Sequence, residues 1–364
     1  MDIQQDTQFM AQAIILAKKG WYTTDPNPRV GCLFVKQGQI LGQGWHQRTG
    51  EAHAEVIALT DAGDIRGATA YVTLEPCSHQ GRTAPCADAL IKAGVSRVVV
   101  AMQDPNPLVV GTGLNKLEAA GIRVDVGVLE SEAQLLNLGF ISRMTKKRPY
   151  VISKIACSLD GRTAMASGES KWITSPEARA DVQRLRAGSS AILIGIETVL
   201  ADDPSLNARI DNADVLQPIR IVLDSKLRMP VKAKILSLPG RTLILTGVEN
   251  SQRQQPLVQA GAEVFSVKLD EQGRIDLDNM MLFLGQQQIN QVLVEAGPVL
   301  NGALMARQLI DEWVIFMASI IMGDTARGLF RLPEVTTMHD KITLQLVETR
   351  LVGSDLRLRY RLQV

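Results

Sequence analysis

Four residues in the first quarter of the chain are of the types that zinc-dependent hydrolysis needs: His53, Glu55, Cys77 and Cys86. One imidazole and two thiolates provide three zinc ligands and leave the fourth coordination position for water, which is typical of catalytic rather than structural zinc sites. Glu55 would not be a ligand. It would carry protons between the water, a ring nitrogen and a leaving amine. The pattern therefore predicts the chemistry of a zinc deaminase.

The spacing of the two cysteines departs from the general deaminase pattern. That pattern is H-x-E followed by P-C-x-x-C, whereas eight residues separate Cys77 from Cys86. Pro85 and Gly94 predict a helix that begins at Cys86 and stops at the glycine, so the positive helix end would favour the Cys86 thiolate. A structural zinc site or two buried free cysteines is the alternative, but it lacks a fourth ligand and leaves Glu55 without a role.

The whole segment resembles one known family. His53-Ala-Glu55 together with Pro76-Cys77-Ser-His79-x-Gly81-Arg82-Thr83-x-Pro85-Cys86 is similar to the deaminase half of bifunctional riboflavin-biosynthesis deaminase–reductases, with Ala84 in place of a second proline. The resemblance implies a cytidine-deaminase-like fold and a pyrimidine substrate. The predicted substrate contacts of this half are Asn27, His46, His79, Arg82, Asp104 and Asn106.

The reasons for these six contacts differ. Asn27 and His46 follow from the resemblance alone, since an asparagine between prolines is ordinarily a turn residue. His79 and Arg82 lie in the loop between the two cysteines, which would bring them to the rim of the site. Asp104 and Asn106 follow a predicted strand, where α/β proteins commonly bind ligands. The pattern leaves a solvated turn and a substrate contact equally open for this pair.

Length and composition define the broad class. A chain of 364 residues is long enough for two domains, and 46% hydrophobic and 21% charged residues are typical of a soluble globular protein. A net charge of +1 argues against nucleic acid or a membrane surface as partner. Four cysteines and no recognisable secretory leader indicate a reducing cytoplasm.

The first half alternates predicted helices and strands. Asp6 is expected to cap a helix with an apolar face of Phe9, Ala13, Ile14 and Ala17. Strands and helices alternate from there onward, which predicts an α/β/α layered domain. The basic, proline-closed stretch 145–149 is the expected linker. The predicted domains are a zinc-dependent deaminase over 1–146 and a reductase over 147–364.

The second half has weaker motifs. Ser175-Pro176-Glu177 predicts the start of a helix that continues to Ala187, and alternating residues near the C-terminus predict an antiparallel hairpin. No G-x-G-x-x-G is present, but a predicted strand enters a glycine turn at Gly297 and then a helix, where backbone N–H groups can hold a pyrophosphate. A purely structural glycine turn is the alternative.

The resemblance extends over this half and implies a dihydrofolate-reductase-like α/β domain that uses NADPH. The implied cofactor contacts are Ala156, Trp172, Thr198, Asp202, Ser225, Gly297, Pro298, Val299, Leu300, Asn301, Gly302 and Ala303. The implied substrate contacts are Ser170, Arg186, Leu206, Arg209 and Glu295. Arg186 and Arg209 suit a phosphate monoester, which a guanidinium group binds bidentately. As alternatives, Arg186 would be a solvated helix residue and Trp172 a core aromatic.

Together the motifs predict a bifunctional enzyme. One half would deaminate a diaminopyrimidinone carrying a phosphoribosylamino group, and the other would reduce the ribosyl carbon chain to ribityl with hydride from NADPH. One zinc ion per chain and a homo-oligomer, a dimer or tetramer, are expected. The rival enzyme is a nucleoside or transfer-RNA base deaminase with an accessory C-terminal domain. The rival of another class is a zinc-stabilised nucleotide-binding protein without turnover.

Overall fold

The chain forms two compact units, Met1–Lys147 and Arg148–Val364. The computed structural model describes residues 3–78, 85–332 and 335–362. No helix in these ranges has both the length and the apolar composition needed to cross a membrane.

The first unit has five strands and six helices among its described residues. The elements are α1 (Ile3–Lys18), β1 (Gly31–Lys36), β2 (Gln39–Trp45), α2 (Ala54–Asp61), β3 (Thr69–Val72), α3 (Cys86–Ala93), β4 (Arg97–Val100), α4 (Thr112–Ala119), β5 (Arg123–Val126), α5 (Glu130–Leu136) and α6 (Leu138–Lys146). The strand order is β2-β1-β3-β4-β5. Strand β1 pairs antiparallel with both neighbours, whereas β3, β4 and β5 are parallel.

Successive strand residues face opposite sides of this sheet, and both faces are covered. Phe34 and Val98 pack in one cluster with residues of α2, α3 and α4. Leu33, Tyr71 and Val99 pack in another with residues of α1 and α5. Because side chains alternate across a strand, the sheet lies between two helix layers. The predicted α/β/α architecture is confirmed.

The second unit is built on a larger sheet. Its elements are β6 (Tyr150–Ser158), β7 (Arg162–Ala164), α7 (Pro176–Ala187), β8 (Ala191–Gly195), α8 (Ile196–Asp202), β9 (Ile219–Leu223), α9 (Lys234–Ser237), β10 (Thr242–Thr246), α10 (Ser251–Gln259), β11 (Glu263–Ser266), α11 (Leu277–Gln286), β12 (Gln291–Val294), α12 (Pro298–Ala306), β13 (Glu312–Ala318), β14 (Arg327–Gly328), β15 (Leu344–Val352) and β16 (Asp355–Leu362).

Nine strands of this unit form one sheet in the order β11-β10-β9-β8-β12-β6-β13-β16-β15. The strands from β11 to β13 are parallel, and the β15–β16 hairpin is antiparallel, as predicted. The carboxyl ends of the parallel strands therefore lie at one edge, the usual place for a ligand in an α/β sheet. The predicted helix start is also confirmed, since the Ser175 hydroxyl accepts the Ala178 N–H and Pro176 is the first helical residue.

The predicted capping role of Asp6 is wrong. Helix α1 begins at Ile3, and Asp6 lies inside its first turns with a buried side chain. Its carboxylate accepts hydrogen bonds from the Tyr71 hydroxyl at 2.7 Å and from both terminal nitrogens of Arg97 at 2.8 Å. Burial acts to raise the pKa of Asp6, but the hydrogen bonds from Arg97 and Tyr71 more than offset this and lower the pKa.

We expect Asp6→Asn to lower the free energy of unfolding of the first unit by about 3 kcal/mol, because the Arg97 guanidinium loses its bidentate carboxylate and keeps only Asp125 as an ionic partner. A carboxyl group with a lowered folded-state pKa stabilises above its ordinary pKa, and the contribution disappears as the pH falls through the lowered value. The free energy of unfolding of the Asp6→Asn variant should therefore also depend less on pH in the acidic range than that of the wild type. Urea unfolding at several pH values measures both effects.

Asp64→Asn is the matched control, since Asp64 makes a similar ion pair with Arg66 but both side chains are exposed. Exposed pairs contribute little to stability, so this variant should unfold like the wild type. Equal destabilisation by the two substitutions would contradict the role given to burial.

Candidate active sites

Three potential metal ligands of the first unit converge from separate elements. His53 immediately precedes α2, Cys77 follows β3, and Cys86 is the first residue of α3. Their ligand atoms all lie within 4.8 Å of one another. The His53 Nδ1 atom is 3.3 Å from the Cys86 Sγ and 3.6 Å from the Cys77 Sγ. The imidazole thus faces the two sulfurs with Nδ1.

The start of α3 places the two cysteines. The helix begins at Cys86 after Pro85 and ends at Gly94, whose φ is 74°, so the predicted helix is confirmed. The Cys86 N–H donates to the Cys77 Sγ at 3.3 Å, and the Ala87 N–H donates to the Cys77 carbonyl at 3.1 Å. Donors at a helix N-terminus favour a thiolate. The eight-residue gap therefore still leads to adjacent sulfurs.

The protonation of the two sulfurs tests whether a metal fits. Hydrogen bonds from Cys86 and His53 lower the pKa of Cys77 to about 4 against the opposing effect of burial. The neighbouring Cys77 sulfur and burial raise the pKa of Cys86. Two thiolates this close repel, and a bound cation removes the conflict because it deprotonates coordinating thiols. A set of one nitrogen and two sulfurs, with Cys86 buried and His53 and Cys77 half-buried, suits zinc.

Glu55 lies beside these ligands. Glu55 is the second residue of α2, and His53 immediately precedes the helix. Residues two apart can approach one metal only near the first turn of a helix, and both residues lie there. Its side chain is 3% exposed, and burial raises its pKa to about 6. A carboxyl group with a pKa near neutral can both accept and donate a proton.

Asn27 and His46 are in contact, and His46 is next to His53. The His46 Nδ1 is 3.0 Å from the Ala52 carbonyl oxygen, which can only accept, so Nδ1 carries the hydrogen. The Nε2 atom then accepts from the Asn27 Nδ2 at 3.1 Å. Burial lowers the pKa of His46, in agreement with a neutral ring. The His46 and His53 rings meet edge-on, with centroids 5.7 Å apart.

Four further substrate residues were predicted for this half. His79 and Arg82 lie outside the described residues. Asp104 and Asn106 lie in the loop between β4 and α4, where the Asn106 N–H donates to the Asp104 Oδ1 at 2.8 Å. The same loop donates the backbone N–H groups of Asp104 and Gly111 to the buried Glu75 carboxylate, and Gly113 in the first turn of α4 donates a third. Sequence reasoning missed Glu75, although an acidic residue directly before Pro76-Cys77 was a visible signal.

The predicted ligand residues of the second unit largely follow the carboxyl ends of parallel strands. Thr198 and Asp202 are in α8, after β8, and Ser225 follows β9. Residues 297–303 follow β12, and Ala156 lies in β6. These strands are close together in the sheet, so the predicted cofactor contacts gather at one edge.

The predicted cofactor contacts after β12, residues 297–303, have different roles. A Cβ atom at Gly297 would meet nothing within 4 Å, so a ligand could approach the backbone there. A Cβ at Gly302 would lie 2.1 Å from the Arg331 carbonyl oxygen. The buried Asn301 amide bonds to the Ser153 hydroxyl and the Ala296 carbonyl. Gly302 and the Asn301 side chain therefore serve packing, and Gly297 remains the best-supported cofactor contact.

The predicted substrate residues include a buried ion cluster. Arg186 forms a bidentate pair with Glu295 at 2.6 and 2.9 Å, and the Lys154 Nζ is 3.1 Å from the same carboxylate. Burial acts to raise the pKa of Glu295, but Lys154 and Arg186 lower it to about 2. Sequence reasoning missed Lys154. The signal was a lysine inside an otherwise apolar strand.

Several sequence interpretations need correction here. Arg186 is neither a solvated helix residue nor free to bind phosphate bidentately, because Glu295 occupies its fork. Trp172 is not a core aromatic, since it is 70% exposed and stacks with the Arg179 guanidinium at 4.6 Å. Arg209 is exposed, and its guanidinium has no ionic partner within the described ranges.

Ser170 and Leu206 are the remaining predicted substrate contacts of this unit. Leu206 is buried in an apolar cluster. Lys171, next to Ser170 and Trp172, forms an ion pair with Asp202 at 2.8 Å. The pair links the segment before α7 to the end of α8. Asp202 is thus already partnered by a cation, and its predicted cofactor contact stays a prediction.

Comparison with known proteins covers both units. Residues 3–102 match the cytidine and deoxycytidylate deaminase zinc-binding region, and residues 149–358 match the RibD C-terminal domain. The Escherichia coli K12 riboflavin biosynthesis protein RibD is 50% identical over 363 residues, covering 96% of this chain and 98% of that protein. The Haemophilus influenzae RibD protein is 46% identical, covering 98% of this chain and 97% of that protein.

Solved structures give the same result over the full length. An Acinetobacter baumannii RibD structure has a TM-score of 0.94 at 45% identity, with 100% of both chains covered. A Thermotoga maritima structure has a TM-score of 0.86 at 34% identity, with 99% of both chains covered. That protein is described as a diaminohydroxyphosphoribosylaminopyrimidine deaminase and phosphoribosylaminouracil reductase.

We expect Cys86→Ser to lose most of its zinc during dialysis against a mild chelator, because a serine hydroxyl is a poor substitute for a thiolate ligand. Cys32→Ser and Cys157→Ser are matched controls, since both cysteines are buried in strands and neither belongs to the group of potential metal ligands found among the described residues. Metal analysis after dialysis gives the comparison. Equal zinc retention in the three variants would refute the assignment of Cys86.

Proposed function

The chain belongs to the RibD family, and from that premise we propose that it is a bifunctional enzyme of riboflavin biosynthesis. The first unit hydrolytically deaminates a diaminopyrimidinone that carries a phosphoribosylamino group. The second unit then reduces the ribosyl chain of the product to ribityl with NADPH. The convergence of His53, Cys77 and Cys86 beside the buried Glu55 carries the proposal most strongly.

The deamination replaces an amino group by an oxygen atom from water. Zinc held by His53, Cys77 and Cys86 would lower the pKa of a bound water to roughly 7. Glu55 accepts a proton from the attacking water, passes it to the ring nitrogen, and assists the departure of ammonia. Its raised pKa supports both directions of transfer.

Asn27 and His46 are proposed to orient the pyrimidine. The Asn27 amide group donates a hydrogen bond to the neutral His46 ring, and this contact fixes the orientation of the amide. The amide oxygen can then accept a hydrogen bond from an amino group of the substrate. His79, Arg82, Asp104 and Asn106 are retained as proposed substrate contacts. Their polar side chains suit a substrate with amino, hydroxyl and phosphate groups.

The reductase half mainly orients two ligands. NADPH supplies the hydride when it is bound, and the carboxyl edge around Gly297 is its proposed position. Lys154 and Arg186 keep Glu295 ionised, so this carboxylate can accept a hydrogen bond from a substrate hydroxyl. Arg209 remains the proposed phosphate contact, because its guanidinium is exposed.

The alternative of a nucleoside or transfer-RNA base deaminase has less support. The second half would then be only an accessory domain, whereas residues 149–358, nearly the whole second unit, match the RibD C-terminal domain. We also propose a separate reaction in each unit, a homo-oligomeric state, and a cytoplasmic location. Free cysteines among the described residues support a reducing compartment.

We expect Glu55→Gln to keep its zinc and lose deamination by about 10²–10⁴-fold, because an amide cannot carry the proton. Ammonia release and zinc content are measured on the same sample. Glu51→Gln provides the same change at an exposed position four residues earlier and should remain active. Near-normal deamination by Glu55→Gln would remove Glu55 from the mechanism, and loss of zinc would make it a ligand.

Arg209→Ala should raise the KM for the deaminated substrate roughly ten- to a hundredfold, the value of one charge-assisted contact to phosphate. NADPH affinity, followed by fluorescence titration, should stay near normal. Arg274→Ala is the control, because Arg274 is also exposed but pairs locally with Asp270. Weakened NADPH binding with an unchanged substrate KM would mean that Arg209 contacts the cofactor.

A further inference from the structure

The Glu75 side chain joins the segment that carries Cys77 to the loop before α4. Its Oε2 atom accepts from the Asp104 N–H at 3.2 Å and from the Gly111 N–H at 3.0 Å. Its Oε1 atom accepts from the Gly113 N–H at 2.9 Å. The backbone N–H of Glu75 donates to the Met102 carbonyl at 3.0 Å. One buried residue therefore fixes both ends of the loop over 104–111 and the first turn of α4.

Two other contacts hold this loop against the same segment. A Cβ atom at Gly113 would lie 2.0 Å from the Pro76 carbonyl oxygen, so the loop backbone is packed directly on the residue before Cys77. The Ser78 and Thr112 hydroxyls are 2.7 Å apart. Contacts thus precede and follow Cys77 in sequence, and the loop position is tied to that of the ligand.

The loop itself carries the proposed substrate contacts Asp104 and Asn106. The Asn106 N–H donates to the Asp104 Oδ1, and the Leu108 N–H donates to the Asn106 Oδ1. Both side chains are therefore already oriented by their own loop. The position of both side chains relative to the metal ligands therefore depends on how the loop is attached to the segment that carries Cys77. Glu75 provides this attachment.

We infer that Glu75 is a positioning residue of the deaminase, which holds the Asp104–Asn106 loop at a fixed place relative to Cys77 so that the substrate binds in register with the metal. The inference rests on the proposed function of Asp104 and Asn106 as substrate contacts. Glu75 is not one of the three potential metal ligands, and its carboxylate accepts backbone N–H groups.

A carboxylate is required at this position because all three partners are donors. Glutamine has one acceptor oxygen and one donor amide group. In either orientation of the substituted side chain, its NH₂ group would face at least one backbone N–H, and that donor would be left buried without an acceptor. The isosteric substitution Glu75→Gln should therefore loosen the loop and leave the volume unchanged.

The test is the kinetics of Glu75→Gln with the diaminopyrimidine phosphate, together with zinc analysis and the NADPH oxidation rate on the deaminated substrate. We expect the deaminase KM to rise roughly ten- to a hundredfold, the value of a hydrogen bond to a charged group, while kcat, zinc content and the reductase rate stay near the wild-type values. Glu118→Gln, an identical change at an exposed position of α4, should behave as the wild type.

Other outcomes would overturn the inference. Loss of zinc would show that Glu75 holds the Cys77 ligand rather than the loop, and a fall in kcat at constant KM would place it in the chemical step. An unchanged KM in a folded variant would remove its role. If Glu75→Gln does not fold, Thr112→Val removes the hydroxyl that contacts Ser78 and the Val109 carbonyl, both of which hold this loop, and should raise KM about threefold; no rise would equally refute the inference. Wild-type protein that releases no ammonia would contradict the proposed function instead.

Discussion

Two sulfur atoms and an imidazole nitrogen lie within 4.8 Å of one another in the first unit, and the site depends on keeping them there. Without a cation only one sulfur carries negative charge easily, because the second thiolate would be repelled by the first. The start of α3 lowers this cost with a backbone N–H donated to Cys77. The start of α2 places His53 and Glu55 on the other side, so the proton carrier lies beside the ligands.

The second unit stabilises a buried charge in a different way. Glu295 has a lowered pKa despite burial because Lys154 and Arg186 both contact its carboxylate. A buried carboxylate needs such partners, since without any cation it would be an uncompensated charge. The cluster therefore supplies a fixed pattern of charge next to the carboxyl edge of the sheet. The exposed Arg209 is the proposed contact for a phosphate group.

The sequence allowed prediction of the elements that local rules determine. Pro176 after a capping serine and Cys86 between Pro85 and Gly94 indicate helix ends, and the ligand types indicate the metal. Long-range partners follow no such rule. The contact of Asp6 with Arg97, the occupation of the Arg186 fork by Glu295 and the three amides on Glu75 join residues far apart in sequence. The local sequence does not reveal the distant partners of these acids, even for Glu75, whose position directly before Pro76-Cys77 was a signal.

We propose that zinc-dependent deamination and NADPH-dependent reduction occur in separate units of one chain. The most direct test follows ammonia release and NADPH oxidation by the wild-type protein, with and without removal of zinc by a chelator. We expect equal amounts of ammonia and oxidised NADPH from the diaminopyrimidine phosphate, and loss of both products without zinc. With substrate that is already deaminated, NADPH oxidation should continue without zinc. Zinc removal that stops NADPH oxidation on the deaminated substrate, while the protein stays folded, would contradict the account.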